Sequence, residues 1–205
     1  MHLEAITSEQ KRIFERLKNF PEYCLAGGTA LALQIGHRLS IDFDFFSDKK
    51  IPPGLLQEVE KAFKDYKREI IVNNPEQLTA VLNGIHLTFV KYSFPIIFKL
   101  KEHNGVKLFS VQEIAAIKAY VLGRRATKKD YVDLYFILKG KHLTLPKLID
   151  ICQKKYGREF EPRLFLEQLV YLKDIKDTEI IFLGEKIGKA KMEEFFKKAI
   201  GQIKL

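Results

Sequence analysis

Behind Thr7 and Gln10, a capping-box pair, apolar residues recur at helical spacing at Ile13, Phe14 and Leu17, with Phe20 following. This predicts a first helix, stopped by Pro21. Residues 23–26 read as a short strand. Gly27 and Gly28 then turn the chain into a helix capped by Thr29 and ending at Gly36. After residues 37–40 comes a strand in which Ile41, Phe43 and Phe45 alternate with Asp42 and Asp44. Pro52 and Pro53 open another helix, with Leu55, Leu56, Val59, Phe63 and Tyr66 on one side. The period then shortens to two. Residues 70–72, 78–82 and 85–90 read as strands, with Asn83-Gly84 as a type I′ hairpin turn, and residues 94–100 as one more strand.

The pattern changes near Asn104-Gly105, and from Ser110 onward it is helical. Ser110 with Glu113 predicts a capped helix ending at Gly123, and Thr127 one running through Leu138 to Gly140. Further helical spacing covers about 145–156, 162–172 and 190–203. The expected fold class is α/β (α+β): a small mixed sheet flanked by helices, followed by a C-terminal helical region. The expected domains are residues 1–105 and 106–205.

Charge adds to this picture. The net charge is +9. Residues 1–105 hold 14 Lys+Arg against 13 Asp+Glu, whereas residues 106–205 hold 21 against 13, so +8 lies in the second half. A basic half suggests a polyanionic partner, against the plainer reading of a lysine-rich solvated surface. No run approaches the roughly 18 apolar residues of a membrane span, and MHLEAITSEQ lacks the secretory pattern. Cys24 and Cys152 stand far apart, as expected of reduced thiols in a cytoplasmic protein.

The stretch LAGGTALALQIGHRLSIDFDFFS, residues 25–47, carries the chemistry. Asp42 and Asp44 at i and i+2 lie on one strand face, where their carboxylates can converge on a divalent cation. Hard oxygen ligands suit Mg2+ or Mn2+, ions that commonly bring phosphate. A glycine pair before a helix offers close backbone approach and N–H groups for an anion. As a plainer reading, the glycines only form a tight turn and the aspartates only face solvent. Two aspartates inside an aromatic strand nevertheless need a reason, because Asp is disfavoured there.

The run GGTALALQIGHRLSIDFDFF resembles the signature of AbiEii-type nucleotidyltransferases, which include the MenT toxins. The later run IKAYVLGRRATKKDYVDLYFIL resembles their second signature, a lysine helix followed by an aspartate-bearing helix. The resemblance covers roughly residues 20–140. It implies a polymerase-β-like nucleotidyltransferase core over 1–105, completed by a helical region over 106–205 that carries the basic surface. It further implies Mg2+- or Mn2+-dependent transfer of a nucleotide from an NTP to an acceptor, often the 3′ end of tRNA, by a toxin with a cognate antitoxin.

On that resemblance, Asp42 and Asp44 are the metal ligands and Gly27 and Gly28 cradle phosphate. Thr29, Arg38 and Ser40 line the nucleotide, with Thr29 first of all an N-cap and Arg38 equally a loop anchor. Lys118 is assigned to the triphosphate, against snorkelling from an otherwise apolar helix. Asp130 is assigned to positioning Lys118, a metal or the acceptor, although with Thr127 it also forms a capping box. Asp133 is a weaker candidate. Arg124, Arg125, Lys128 and Lys129 form a loop suited to RNA phosphates or the triphosphate tail, against the plainer reading of a solvated loop.

One departure concerns the third carboxylate common on a neighbouring strand of this fold. Residues 84–90 carry no acid, and Thr88 or His86 stands in its place. This motivates a second hypothesis, a non-catalytic nucleotide- or RNA-binding module on a degenerate scaffold. A glycosyltransferase reading of the two aspartates is disfavoured by the small size and the lysine/aspartate signature.

Overall fold

A computed structural model describes residues 1–125 and 127–203. They divide into two compact units, one of residues 1–95 and 99–110, the other of residues 96–98 and 111–205.

The first unit is built on a seven-stranded mixed sheet. Its strands are β1 (Cys24–Ala26), β2 (Phe43–Ser47), β3 (Arg68–Asn74), β4 (Gln77–Leu82), β5 (Ile85–Lys91), β6 (Lys101–His103) and β7 (Val106–Leu108). The order across the sheet is β3-β4-β5-β2-β1-β7-β6; β2 runs parallel to β5 and β1 to β7, and the other pairs are antiparallel. Helices α1 (Ser8–Arg16), α2 (Gly27–Ile35) and α3 (Leu55–Ala62) accompany it.

Alternation on the central strands gives the sheet one apolar face. Phe43 and Phe45 on β2, Leu87 and Phe89 on β5, and Leu78, Ala80 and Leu82 on β4 are fully buried. Phe14 of α1 meets Phe43 at 6.5 Å, and Phe20 lies 5.1 Å from Phe89 and 6.3 Å from Phe63. Fully burying each such ring stabilises the unit by about 1.5–3 kcal/mol.

The first helix has the predicted reciprocal Thr7–Gln10 cap, and Gly36 ends α2 in the left-handed conformation. Asn83 and Gly84 both have positive φ, as a type I′ turn requires, and Asn104-Gly105 closes the β6–β7 hairpin in the same way. Three expectations are corrected. Thr29 is not the N-cap of α2: the helix begins at Gly27 with Ala26 as the cap. Ile41 is 55% exposed, because β2 starts only at Phe43. Residues 94–100 form no strand; the N–H groups of Ile97 and Phe98 donate instead to the Glu113 carboxylate.

The second unit is helical: α4 (Val111–Leu122), α5 (Lys128–Lys139), α6 (Leu145–Tyr156), α7 (Pro162–Leu169) and α8 (Lys189–Gly201). Its core gathers Ile114, Leu134, Leu148, Cys152, Phe165, Met192 and Phe196. Tyr131 is wholly buried and satisfies its hydroxyl by donating to the Gln168 carbonyl at 2.8 Å. Glu113 and Lys155 form a buried ion pair, in which desolvation lowers the lysine's pKa despite the carboxylate.

Candidate active site

The polar face of the first unit's sheet holds the aspartates. Asp44 is the register partner of Ala26 on β1 and of Thr88 on β5. Its carboxylate therefore stands against the start of α2. Gly27 has φ +65°, and a Cβ there would lie 2.5 Å from Asp44 Oδ2. Only glycine permits both that backbone and that approach. The first N–H groups of a helix have no intrahelical acceptor and carry partial positive charge, so an anion is favoured here.

Gly28 serves a different neighbour. A Cβ on it would meet the Arg38 guanidinium at 2.5 Å and Ser40 Oγ at 3.3 Å. Arg38 is 2% exposed and donates to the Leu39 carbonyl at 3.0 Å, so it is packed beneath the turn as a loop anchor. Thr29, instead of capping, donates its hydroxyl to the Asp42 carbonyl, and its Oγ1 is hydrogen-bonded to the Ser40 hydroxyl at 2.9 Å. Thr29 and Ser40 thus tie α2 to the segment that leads into the aspartates.

Gln10 was legible only as a cap, yet it holds the same segment from the other side. Its Oε1 accepts from Thr7 N, while Nε2 donates to the carbonyls of Ser40 and Ile41 at 2.7 and 2.6 Å. Gln10 is fully buried. Nothing in the spacing of residues 10 and 40 announces this contact; the one available signal is a polar residue on an otherwise apolar helix stripe.

Asp42 lies one residue before β2 and is half exposed. Its Oδ1 accepts from the His86 N–H at 3.3 Å and stands 3.2 Å from His86 Nδ1. Of the two residues standing in the place of a third acid, Thr88 is the one in register with Asp44, and His86 is the one that contacts Asp42. Among the described residues, no group of three or more His, Cys, Asp or Glu side chains is placed to hold a metal ion. Magnesium is commonly held by one or two carboxylates together with substrate phosphates. Two aspartates beside a helix start therefore fit an ion that arrives with a nucleotide, and do not form an all-protein cage.

The other predicted group lies within the second unit. Lys118 on α4 donates to Asp130 Oδ1 and pairs with Asp133 Oδ2, each at 2.8 Å, both from α5. The lysine does not snorkel: its side chain is 11% exposed, and those of Asp130 and Asp133 are 7% and 0%. Burial opposes its charge, but Asp133 and Asp130 outweigh that, and its pKa is raised. Asp130 also accepts from the Thr127 N–H at 3.2 Å and from its hydroxyl at 2.6 Å. The cap and the ion pair thus share one carboxylate. Asp133, the weaker candidate in sequence, is the more deeply buried partner.

The basic loop divides. Arg124 stacks on Tyr120 at 3.6 Å and donates to the Tyr120 and Glu159 carbonyls, and Lys128 pairs with Asp177 at 2.9 Å. Arg125 and Lys129 are exposed.

Residues 11–84 match the family model described as nucleotidyl transferase AbiEii toxin, Type IV TA system. Over that segment the chain is similar to AbiEii-type nucleotidyltransferases. The chain is 28% identical over 203 residues to the uncharacterized protein aq_aa25 of Aquifex aeolicus (strain VF5), covering 97% of each chain. Its fold is similar to that of MenT4, the nucleotidyltransferase toxin Rv2826c of Mycobacterium tuberculosis H37Rv, with a TM-score of 0.63 at 14% identity. That match covers 94% of this chain and 83% of the other. A putative nucleotidyltransferase from H. pylori has the same fold, with a TM-score of 0.56 at 19% identity, covering 92% and 95%. No helix among the described residues is long and apolar enough to cross a membrane.

Proposed function

We propose that this nucleotidyltransferase moves a nucleotide from an NTP to an acceptor hydroxyl, with RNA such as a tRNA 3′ end as acceptor, and acts as the toxin of a toxin–antitoxin pair. The observation that carries the reading is the placement of Asp44 against Gly27, which joins a carboxylate pair to a helix start. Asp42 and Asp44 would hold Mg2+ or Mn2+, which when bound neutralises triphosphate charge and makes the attacked phosphorus more electrophilic. The α2 start, with Gly27 and Gly28, receives phosphate oxygens through backbone N–H groups. Arg38, Ser40, Thr29 and Gln10 keep the aspartate segment in place.

The acceptor oxygen forms a bond to the α-phosphorus as the bond to pyrophosphate breaks, and the acceptor's proton leaves to a base. Lys118 is assigned to the triphosphate by resemblance. Its geometry supports a charged role, since Asp130 and Asp133 keep it protonated and use two of its three N–H bonds. Arg125 and Lys129 supply exposed positive charge for an RNA backbone.

Incubation with each labelled NTP, Mg2+ and total tRNA tests the reading, with Asp42→Ala and Asp44→Ala alongside. Labelled RNA from wild type and none from either variant supports it. RNA left unlabelled by all four nucleotides, or labelled equally by the variants, refutes it.

A further inference from the structure

Asp44, Thr88 and Thr79 are successive register partners across β2, β5 and β4, so their side chains form one row on the polar face of the sheet. Gln77, two residues before Thr79, stands on the same face. Gln77 Nε2 donates to Thr79 Oγ1 at 2.9 Å, and Thr79 Oγ1 donates to Thr88 Oγ1 at 3.3 Å. An amide nitrogen can only donate, which sets the direction at the start of the row. Thr79 is 5% exposed, so its hydroxyl is oriented by these two partners and not by bulk water. The Thr88 oxygen thereby accepts within the row, which leaves its proton, with one lone pair, to face beyond it. A carboxylate in this place would only accept and would suit a cation. A hydroxyl held as a donor suits the oxygen of an anion.

We propose that Thr88 donates a hydrogen bond to a non-bridging phosphate oxygen of the bound nucleotide, with Thr79 and Gln77 as positioning residues behind it. The inference rests on the NTP reading of Asp42 and Asp44. It gives the sheet position opposite Asp44 a role that a lost acid would not have: the site binds its anion there and gathers its metal with two carboxylates.

Calorimetric titration of the full chain with each Mg2+–NTP tests this, with melting curves confirming that every variant is folded. For the nucleotide bound by wild type, Thr88→Ala is expected to weaken Kd about 10-fold, as loss of a hydrogen bond to a charged group does. Thr88→Ser should stay within about twofold. Thr79→Val should weaken binding about threefold, and Thr79→Ser should restore it. Thr88→Asp should bind at least as poorly as Thr88→Ala, because it sets negative charge against phosphate. Unchanged affinity in Thr88→Ala, or tighter binding in Thr88→Asp, overturns the role of Thr88 while leaving the nucleotide reading intact. If wild type binds none of the four nucleotides, the nucleotide reading itself falls, and this inference with it.

Discussion

Asp44 Oδ2 occupies the space that a side chain on Gly27 would need, 2.5 Å from where its Cβ would stand. A helix start and a carboxylate from a neighbouring strand are therefore packed as one object. Gly27→Ala must both strain a backbone at φ +65° and push Asp44 aside. The expected result is a loss of about 1–3 kcal/mol in stability and of most nucleotide binding. A Gly27→Ala protein with wild-type melting temperature and affinity would contradict this packing.

Gln10 acts on the same site from a distance. Replacing it by alanine leaves the Ser40 and Ile41 carbonyls without their donor and opens the cap at Thr7. Urea denaturation should show a loss of about 1–3 kcal/mol. Nucleotide affinity should fall with it, because the segment entering β2 is released. Lost stability with unchanged affinity would reduce Gln10 to a helix cap.

Lys118→Met would leave Asp130 and Asp133 buried without their cation. Breaking such a group typically costs about 3–5 kcal/mol. The pH dependence has a definite sign. The folded-state pKa of Lys118 is raised above 10.5, so its contribution is fully present below the unfolded value and is lost as pH rises through the folded one. The stability gap between wild type and Lys118→Met should be flat from pH 7 to 9 and shrink only in stronger alkali. A gap that already closes by pH 9 would show that the lysine is not held in its charged form.

RNA binding should separate the members of the basic loop. Arg125→Ala with Lys129→Ala removes two exposed charges and should lower the slope of log K against log salt by about 1–2. Arg124→Ala should act mainly on stability, since that guanidinium is stacked on Tyr120 and bonded to two carbonyls. An unchanged slope in the double variant would move the RNA surface elsewhere.

Both thiols should be inert in the folded protein. Burial pushes Cys152 up to about 12 and raises Cys24 as well. Iodoacetamide at pH 8 should label neither until denaturant is added; rapid labelling of either would show local opening of its unit.

Local chemistry was readable along the chain wherever neighbours in sequence are neighbours in space. The Thr7–Gln10 cap, the Asn83-Gly84 turn, the left-handed Gly36 and helices α6, α7 and α8 follow from periodicity and turn chemistry. The Asp42–Asp44 pair was readable for the same reason, because an i, i+2 spacing orients both side chains before any partner is known. Residues 94–100 failed that reading. Their alternating apolar residues resemble a strand, but a strand exists only if another strand supplies its hydrogen bonds. Here Glu113 supplies them to Ile97 and Phe98.

The sequence by itself determined the two signatures, the order of elements as far as β5 and again from α4, the carboxylate pair and the absence of an acid on β5. Each of these depends on residue type at short separation. Only the tertiary structure decided that Thr29 ties Asp42 instead of capping, that Gln10 supports the loop 30 residues away, and that Lys118 is shared by Asp130 and Asp133. It likewise set Thr88 opposite Asp44 at the end of a row of donors. Buried polar groups must find partners wherever packing puts them, and which partner lies within hydrogen-bond reach is a property of the folded chain.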